Sequence, residues 1–114
     1  VFRSEEPVFS FFKSATPAIT VNEALSRLND ASPPVFLDVR EPDEYSAGHI
    51  PGSVLMPLGT VEARMGELER ERPIVVICRS GGRSDRATQV LRQAGLDAVN
   101  MTGGMLAWQG PVAH

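Results

Sequence analysis

An α/β fold with a mostly parallel sheet, covered by helices on both faces, is what this chain predicts, on three observations. Short apolar, β-branched runs alternate with amphipathic helical patterns along most of its length. The clearest runs, 35–39 and 73–77, are apolar at nearly every position, Asp38 excepted, as strands buried on both faces are. The links between runs are long enough for helices of about ten residues, the form that right-handed crossovers between parallel strands take. Helix, sheet and helix then make three layers around the sheet.

The elements follow in order. Residues 18–20 read as a first short strand. Thr20 with Glu23 fits a capping box, and Val21, Ala24, Leu25 and Leu28 follow at helical spacing. Ser32-Pro33-Pro34 ends that unit. The second strand, 35–39, carries Asp38 near its carboxyl end, with Arg40 just beyond. Pro42 suits the first turn of a short helix through Tyr45, and Gly48 suits its C-terminal cap. Residues 53–56 form a third strand. Residues 60–70 read as a helix with Val61, Met65 and Leu68 inward and Glu62, Arg64, Glu67 and Glu69 toward water. The fourth strand, 73–77, leads through a glycine-bearing turn into a helix over 84–94, with Ala87, Val90, Leu91 and Ala94 on one face and Gly95 as its stop. The fifth strand is 97–101. Gly103-Gly104 turns into a last short helix with Met105, Leu106 and a core Trp108. One domain over 18–110 is expected, with an arm or linker over 1–17 and a tail over 111–114.

Composition narrows the function. The chain has 114 residues, with 42% hydrophobic and 22% charged residues, as an ordinary globular domain does. Its net charge of −3, from 11 basic and 14 acidic residues, argues against nucleic acid as an electrostatic partner. Lys13 is the only lysine, and Arg79, Arg83 and Arg86 cluster near the cysteine, so a local anion site is compatible with an acidic protein. A single cysteine allows no internal disulfide and no cysteine-rich metal site. No secretory signal is legible and no apolar run nears the ~20 residues of a membrane span, so a cytoplasmic setting without metal or other cofactor is expected. Phe2, Phe9, Phe11 and Phe12 make the first 17 residues aromatic; they read as an arm packed on the domain, or as a contact for a neighbouring domain or partner. The start at Val1 is read as that of a processed chain or of a piece from a longer one.

The chemistry centres on Cys78-Arg79-Ser80-Gly81-Gly82-Arg83-Ser84. Placed between a strand's carboxyl end and a helix N-terminus, Cys78 occupies the edge where open α/β sheets bind ligands. Gly81 and Gly82 let the backbone curl with N–H groups inward, the helix adds its positive dipole end, and Arg79 and Arg83 are permanent cations. All three favour a thiolate. A thiolate so cradled can attack phosphorus, or it can attack sulfane sulfur and carry it as a persulfide. Cys78 to Arg83 spans C-x4-R, one residue shorter than the C-x5-R loop of cysteine phosphatases, which leaves less room for a tetrahedral phosphate. Asp38 and Arg40 come to the same edge if the strands are parallel, and Asp38 is expected to pair with Arg83. His49, in Gly48-His49-Ile50-Pro51-Gly52, reads as a satisfied turn residue, and Glu41 and Glu44 as a solvated helix face.

This loop resembles the active loop of single-domain members of the rhodanese family of sulfurtransferases. Leu37-Asp38-Val39-Arg40, with Glu44-Tyr45 and Gly48-His49-Ile50-Pro51-Gly52-Ser53, is similar to that family's N-terminal signature, and Gly103-Gly104 with Trp108 to its C-terminal one. The resemblance covers roughly residues 20–109. It implies a five-stranded rhodanese-like sheet and a Cys78 that takes sulfur from a donor anion such as thiosulfate. The acceptor would be cyanide, a thiol or a sulfur-carrier protein. It also implies that Arg79 orients the donor and Arg83 braces the loop, while Gly81 and Gly82 bring the backbone to the sulfur and Ser80 and Ser84 add hydrogen bonds. A phosphatase or arsenate reductase, and a docking or sulfur-relay module within a larger protein, are the rival readings.

Overall fold

A computed structural model describes residues 16–114; the arm expected over 1–17 lies, apart from Thr16 and Pro17, outside the described residues. The five strands β1 (Ala18–Ile19), β2 (Val35–Asp38), β3 (Val54–Leu55), β4 (Ile74–Ile77) and β5 (Ala98–Met101) form one sheet in the order β1-β5-β4-β2-β3. Every pairing is parallel. The α/β expectation therefore holds. β4 and β2 are buried at every position because both lie inside the sheet and both their faces are covered.

Pleat alternation divides the core in two. Val35, Leu37, Ile74, Val76 and Ala98 face one layer, which contains α3 (Val61–Arg64) and α4 (Gly82–Gln93). Phe36, Val75, Ile77 and Met101 face the other, with α1 (Val21–Arg27), α5 (Gly104–Ala107) and Trp108. The short α2 (Pro42–Ala47) follows β2. The local signals act as expected at several ends. Thr20 caps α1 through the Glu23 N–H while Glu23 returns the bond to the Thr20 N–H, and Pro42 occupies the first turn of α2.

One element differs from its expected form. The helix expected over 60–70 is broken into a 3-10 turn at Leu58–Thr60, one α-turn at Val61–Arg64 and a second 3-10 turn at Met65–Glu67. Gly66 explains the break: a mid-helix glycine costs about 1 kcal/mol relative to alanine and has no side chain to bury in return. The inward face is the expected one: Val61 is buried, and Met65 and Leu68 pack on the core.

The two ends of the described chain are docked. The Pro17 carbonyl accepts from the Asn100 N–H, so the sheet register begins before β1. His49 and Ala113 exchange backbone bonds of 2.9 and 2.8 Å, which fixes the tail over 111–114 against the turn after α2.

Candidate active site

Cys78 follows β4 immediately, on the same pleat face as Ile74 and Val76, against α4. The sulfur forms the floor of the loop that leads into the helix. The Gly81 N–H donates to Sγ at 3.0 Å, and Ser84 Oγ lies 3.3 Å from it. Gly81 has φ +115°, a left-handed conformation that side chains disfavour, and this turns its N–H inward. Gly82, expected to share that task, is instead the first residue of α4. Arg79 and Ser80, the two residues that follow Cys78, are exposed, as is Arg86 on α4, whereas Ser84 is wholly buried.

Cys78 is only 1% exposed, deeper than a place at the ligand-binding edge of the sheet implies. Its polar surroundings decide what that depth means. Burial pushes the thiol up, but the Ser84 hydroxyl and the backbone N–H groups of Ser84, Gly81 and Ser80 outweigh it, leaving the thiol below the ordinary cysteine range. The leading influences that favour the thiolate are thus fixed dipoles rather than the arginines. The inward N–H groups act as expected; the arginines count for less, because Arg79 is exposed and screened and Arg83 is paired with Glu44.

The expected pairing of Asp38 with Arg83 is not formed. Asp38 shares the pleat face of Phe36, away from α4, and meets Arg40 from its own strand end. Arg40 Nη2 donates to Asp38 Oδ2 at 2.7 Å and to the Gly48 carbonyl at 2.8 Å. Arg83 turns instead to α2, where Nη1 and Nη2 donate to the two Glu44 oxygens at 2.7 and 2.8 Å. Glu44, read from the sequence as a solvated residue, is the brace of the loop. Its carboxyl group is held down at about 2, chiefly by Arg83, and Arg83 is raised in turn, chiefly by Glu44.

The pH dependence of that brace follows from its sign. A carboxylate whose folded value lies below its ordinary 4.5 contributes stability that is present above 4.5 and lost as pH falls toward about 2. With side chains 35% and 25% exposed, the pair is partly screened, so about 1–2 kcal/mol is expected. Glu44→Gln should therefore lower the melting temperature at pH 7. The gap to wild type should narrow below pH 4.5 and close near pH 2. A gap that stays constant across that range would remove the electrostatic account.

A second support comes from α5. The Met105 N–H donates to the Cys78 carbonyl at 2.9 Å and the Leu106 N–H to the Arg79 carbonyl at 3.0 Å. Gly104, at φ +60°, packs so closely that a Cβ there would overlap both carbonyls. The Gly103-Gly104 turn thus holds the loop from behind. Asn100 on β5 also escaped sequence reading. It is buried on the Cys78 side of the sheet, beside Val76, with its Oδ1 2.5 Å from Ser84 Oγ and its Nδ2 3.3 Å from the Gly81 carbonyl. The signal available was one polar residue inside an apolar strand. His49 is satisfied as expected, with Nδ1 2.8 Å from the Tyr45 carbonyl and its ring stacked on Tyr45. Among the described residues, no cluster of His, Cys, Asp and Glu side chains could hold a metal ion, and no helix is long and apolar enough to cross a membrane.

A cysteine under an amide-lined turn, at the carboxyl edge of a parallel sheet, defines a cysteine-loop α/β domain. The family model of the Rhodanese-like domain matches residues 20–111, and the chain belongs to that family. It is 39% identical over 89 residues to a sulfurtransferase of Allochromatium vinosum, an alignment covering 76% of this chain and 83% of the relative. A thiosulfate sulfurtransferase of Pseudoalteromonas translucida is 36% identical over 92 residues, covering 80% and 87%. A Bacillus subtilis relative named as a candidate sulfur carrier is 39% identical over 98 residues, but these span 85% of this chain and only 53% of that longer protein. Among solved structures, a Staphylococcus saprophyticus protein superposes with a TM-score of 0.81 at 33% identity, covering 86% of this chain and 99% of its own. A rhodanese-related protein from Thermoplasma volcanium gives 0.80 at 32% identity, covering 85% and 97%. The expected five-stranded rhodanese-like fold is the one observed.

Proposed function

We propose that this domain is a sulfurtransferase in which the Cys78 thiolate attacks the outer sulfur of an anionic donor such as thiosulfate. The Cys78 S–S bond forms, the donor's S–S bond breaks, and sulfite departs with the electron pair. The resulting persulfide sits under the loop amides until a thiophilic acceptor takes the outer sulfur: a thiol, a sulfur-carrier protein, or cyanide in the assay. Two displacements through one covalent intermediate imply ping-pong kinetics. The observation that carries this reading is the Gly81 N–H directed at Sγ at 3.0 Å, together with a thiol held below its ordinary range despite burial. In this scheme Arg79, exposed and next to Cys78 in the chain, orients the donor. Arg83 braces the loop through Glu44. Ser80 and Ser84 supply dipoles, Gly82 opens α4, and the Asp38–Arg40 pair fixes the end of β2.

Incubation with thiosulfate followed by intact-mass and peptide mass spectrometry tests the intermediate. Wild-type protein should gain one sulfur atom, localised to the peptide containing Cys78 and removed by cyanide. A folded protein that stays unmodified would exclude sulfur transfer from this donor.

A relay within a larger protein is the second reading. It is favoured by the longer Bacillus subtilis relative, of which this chain matches only 53%. Persulfide formation without steady-state thiosulfate turnover would identify it.

A further inference from the structure

We propose that Asn100 is a positioning residue that sets the ionisation of Cys78 by competing with it for a single proton, that of the Ser84 hydroxyl. Ser84 Oγ has one hydrogen to give and three acceptors within reach: Asn100 Oδ1 at 2.5 Å, the Gly81 carbonyl at 3.2 Å and Cys78 Sγ at 3.3 Å. The orientation of the Asn100 amide follows from its other end. Nδ2 lies 3.3 Å from the Gly81 carbonyl, and the flipped amide would set two oxygens against each other there. Oδ1 must therefore face Ser84, and the short contact requires the Ser84 hydrogen. With that hydrogen on Asn100, the contact between Cys78 and Ser84 can only be a thiol S–H donating to Oγ.

Ionisation reverses this arrangement. When the thiol proton leaves to solvent, Sγ becomes an acceptor and draws the Ser84 O–H round to itself. The buried Asn100 Oδ1 then loses its hydrogen, which is a cost because unpaired buried acceptors are unfavourable. In a persulfide the charge lies on the outer sulfur and Sγ is again a poor acceptor, so the Ser84 hydrogen returns to Asn100. Asn100 thus favours the thiol and the persulfide over the bare thiolate. This mechanism rests on the sulfur-transfer reading only for its last step; the proton competition concerns Cys78 alone.

The other charges near the sulfur do not supply the effect. Arg83 on α4 is paired with Glu44 on α2, with Glu41 nearby, and its attraction for a Cys78 charge does not pass through Asn100; on the same helix Asp85 accepts from Gln89 and Arg86 is exposed. Asp38 and Arg40 at the end of β2 neutralise each other on the opposite pleat face. Arg79 projects to solvent from the loop, and β5 and α5 carry no titratable side chain.

The test is the pH profile of Cys78 alkylation by iodoacetamide, which needs no sulfur donor. It thus separates failure of this mechanism from failure of the sulfurtransferase reading. Asn100→Ala and the near-isosteric Asn100→Leu should shift the midpoint downward by roughly half to one pH unit, because Ser84 is released to Sγ. Ser84→Ala should shift it upward by about as much. The Asn100 effect should vanish in the Ser84→Ala background, which a merely structural role for Asn100 would not predict. Circular dichroism identifies the folded variants, and Asn100→Leu decides if Asn100→Ala is unfolded. An unchanged or raised midpoint in the folded Asn100 variant, or a downward shift that persists without Ser84, would overturn the mechanism.

Discussion

Cys78→Ser should retain the fold and lose sulfur transfer by a factor on the order of 10⁴ or more, the scale seen when an enzyme's nucleophile is removed. The fold should survive because the substitution is close to isosteric. A serine hydroxyl at that position can accept from the Gly81 N–H and exchange a hydrogen bond with Ser84, as the sulfur does. Activity should not survive, because dipoles that hold a thiol below its ordinary range cannot ionise an alcohol at neutral pH. Burial, at 1% exposure, raises that barrier further. An oxygen would also have to form an O–S bond in place of the S–S bond on which easy transfer to an acceptor depends. Thiocyanate formation from thiosulfate and cyanide measures the loss, and circular dichroism checks the fold. Turnover within tenfold of the wild type would mean that another group carries the sulfur.

The parts of this site that were legible in the sequence are those set by local chemistry. A β-branched run into Cys78, glycines after it and an amphipathic stretch beyond were enough to place the thiol at the sheet's carboxyl edge, since each acts through its own backbone preference. The capping box at Thr20 and Glu23 and the proline start of α2 were legible for the same reason. What escaped reading depends on which face of the pleat a residue occupies and what stands across from it. Asp38 and Arg83 are both near the edge in a linear reading, yet Asp38 faces the layer away from α4, so each arginine found a different carboxylate. Glu44 looked solvated because α2 is short and polar; its role depends on α4 ending its loop opposite. Asn100 and the support that the Gly103-Gly104 turn gives the loop come from β5 and α5, brought beside it only when the sheet order β1-β5-β4-β2-β3 places β5 next to β4. The break at Gly66 was a local signal that the surrounding helical spacing outweighed in the reading.

The Asp38–Arg40 pair should prove far more important to stability than to chemistry. Asp38 is completely buried and Arg40 is 6% exposed. The carboxylate accepts from the Arg40 backbone N–H at 3.1 Å and from Nε and Nη2 of the same side chain. The remaining guanidinium contact goes to the Gly48 carbonyl at 2.8 Å, tying the end of β2 to the turn after α2. Removing one member leaves a buried charge without its partner, and Arg40→Ala should therefore cost about 3–5 kcal/mol. For a domain of this size that corresponds to a fall in melting temperature of roughly 15 °C or more. Asp38→Asn in the Arg40→Ala background should recover part of the loss, since an amide can remain neutral where the carboxylate could not. Alkylation of Cys78 at temperatures where the variants are folded should change little, because the pair lies on the other face of the sheet from the sulfur. A loss below about 1 kcal/mol on thermal or urea unfolding would show that solvent reaches Asp38 freely, and the buried-charge account would then fail.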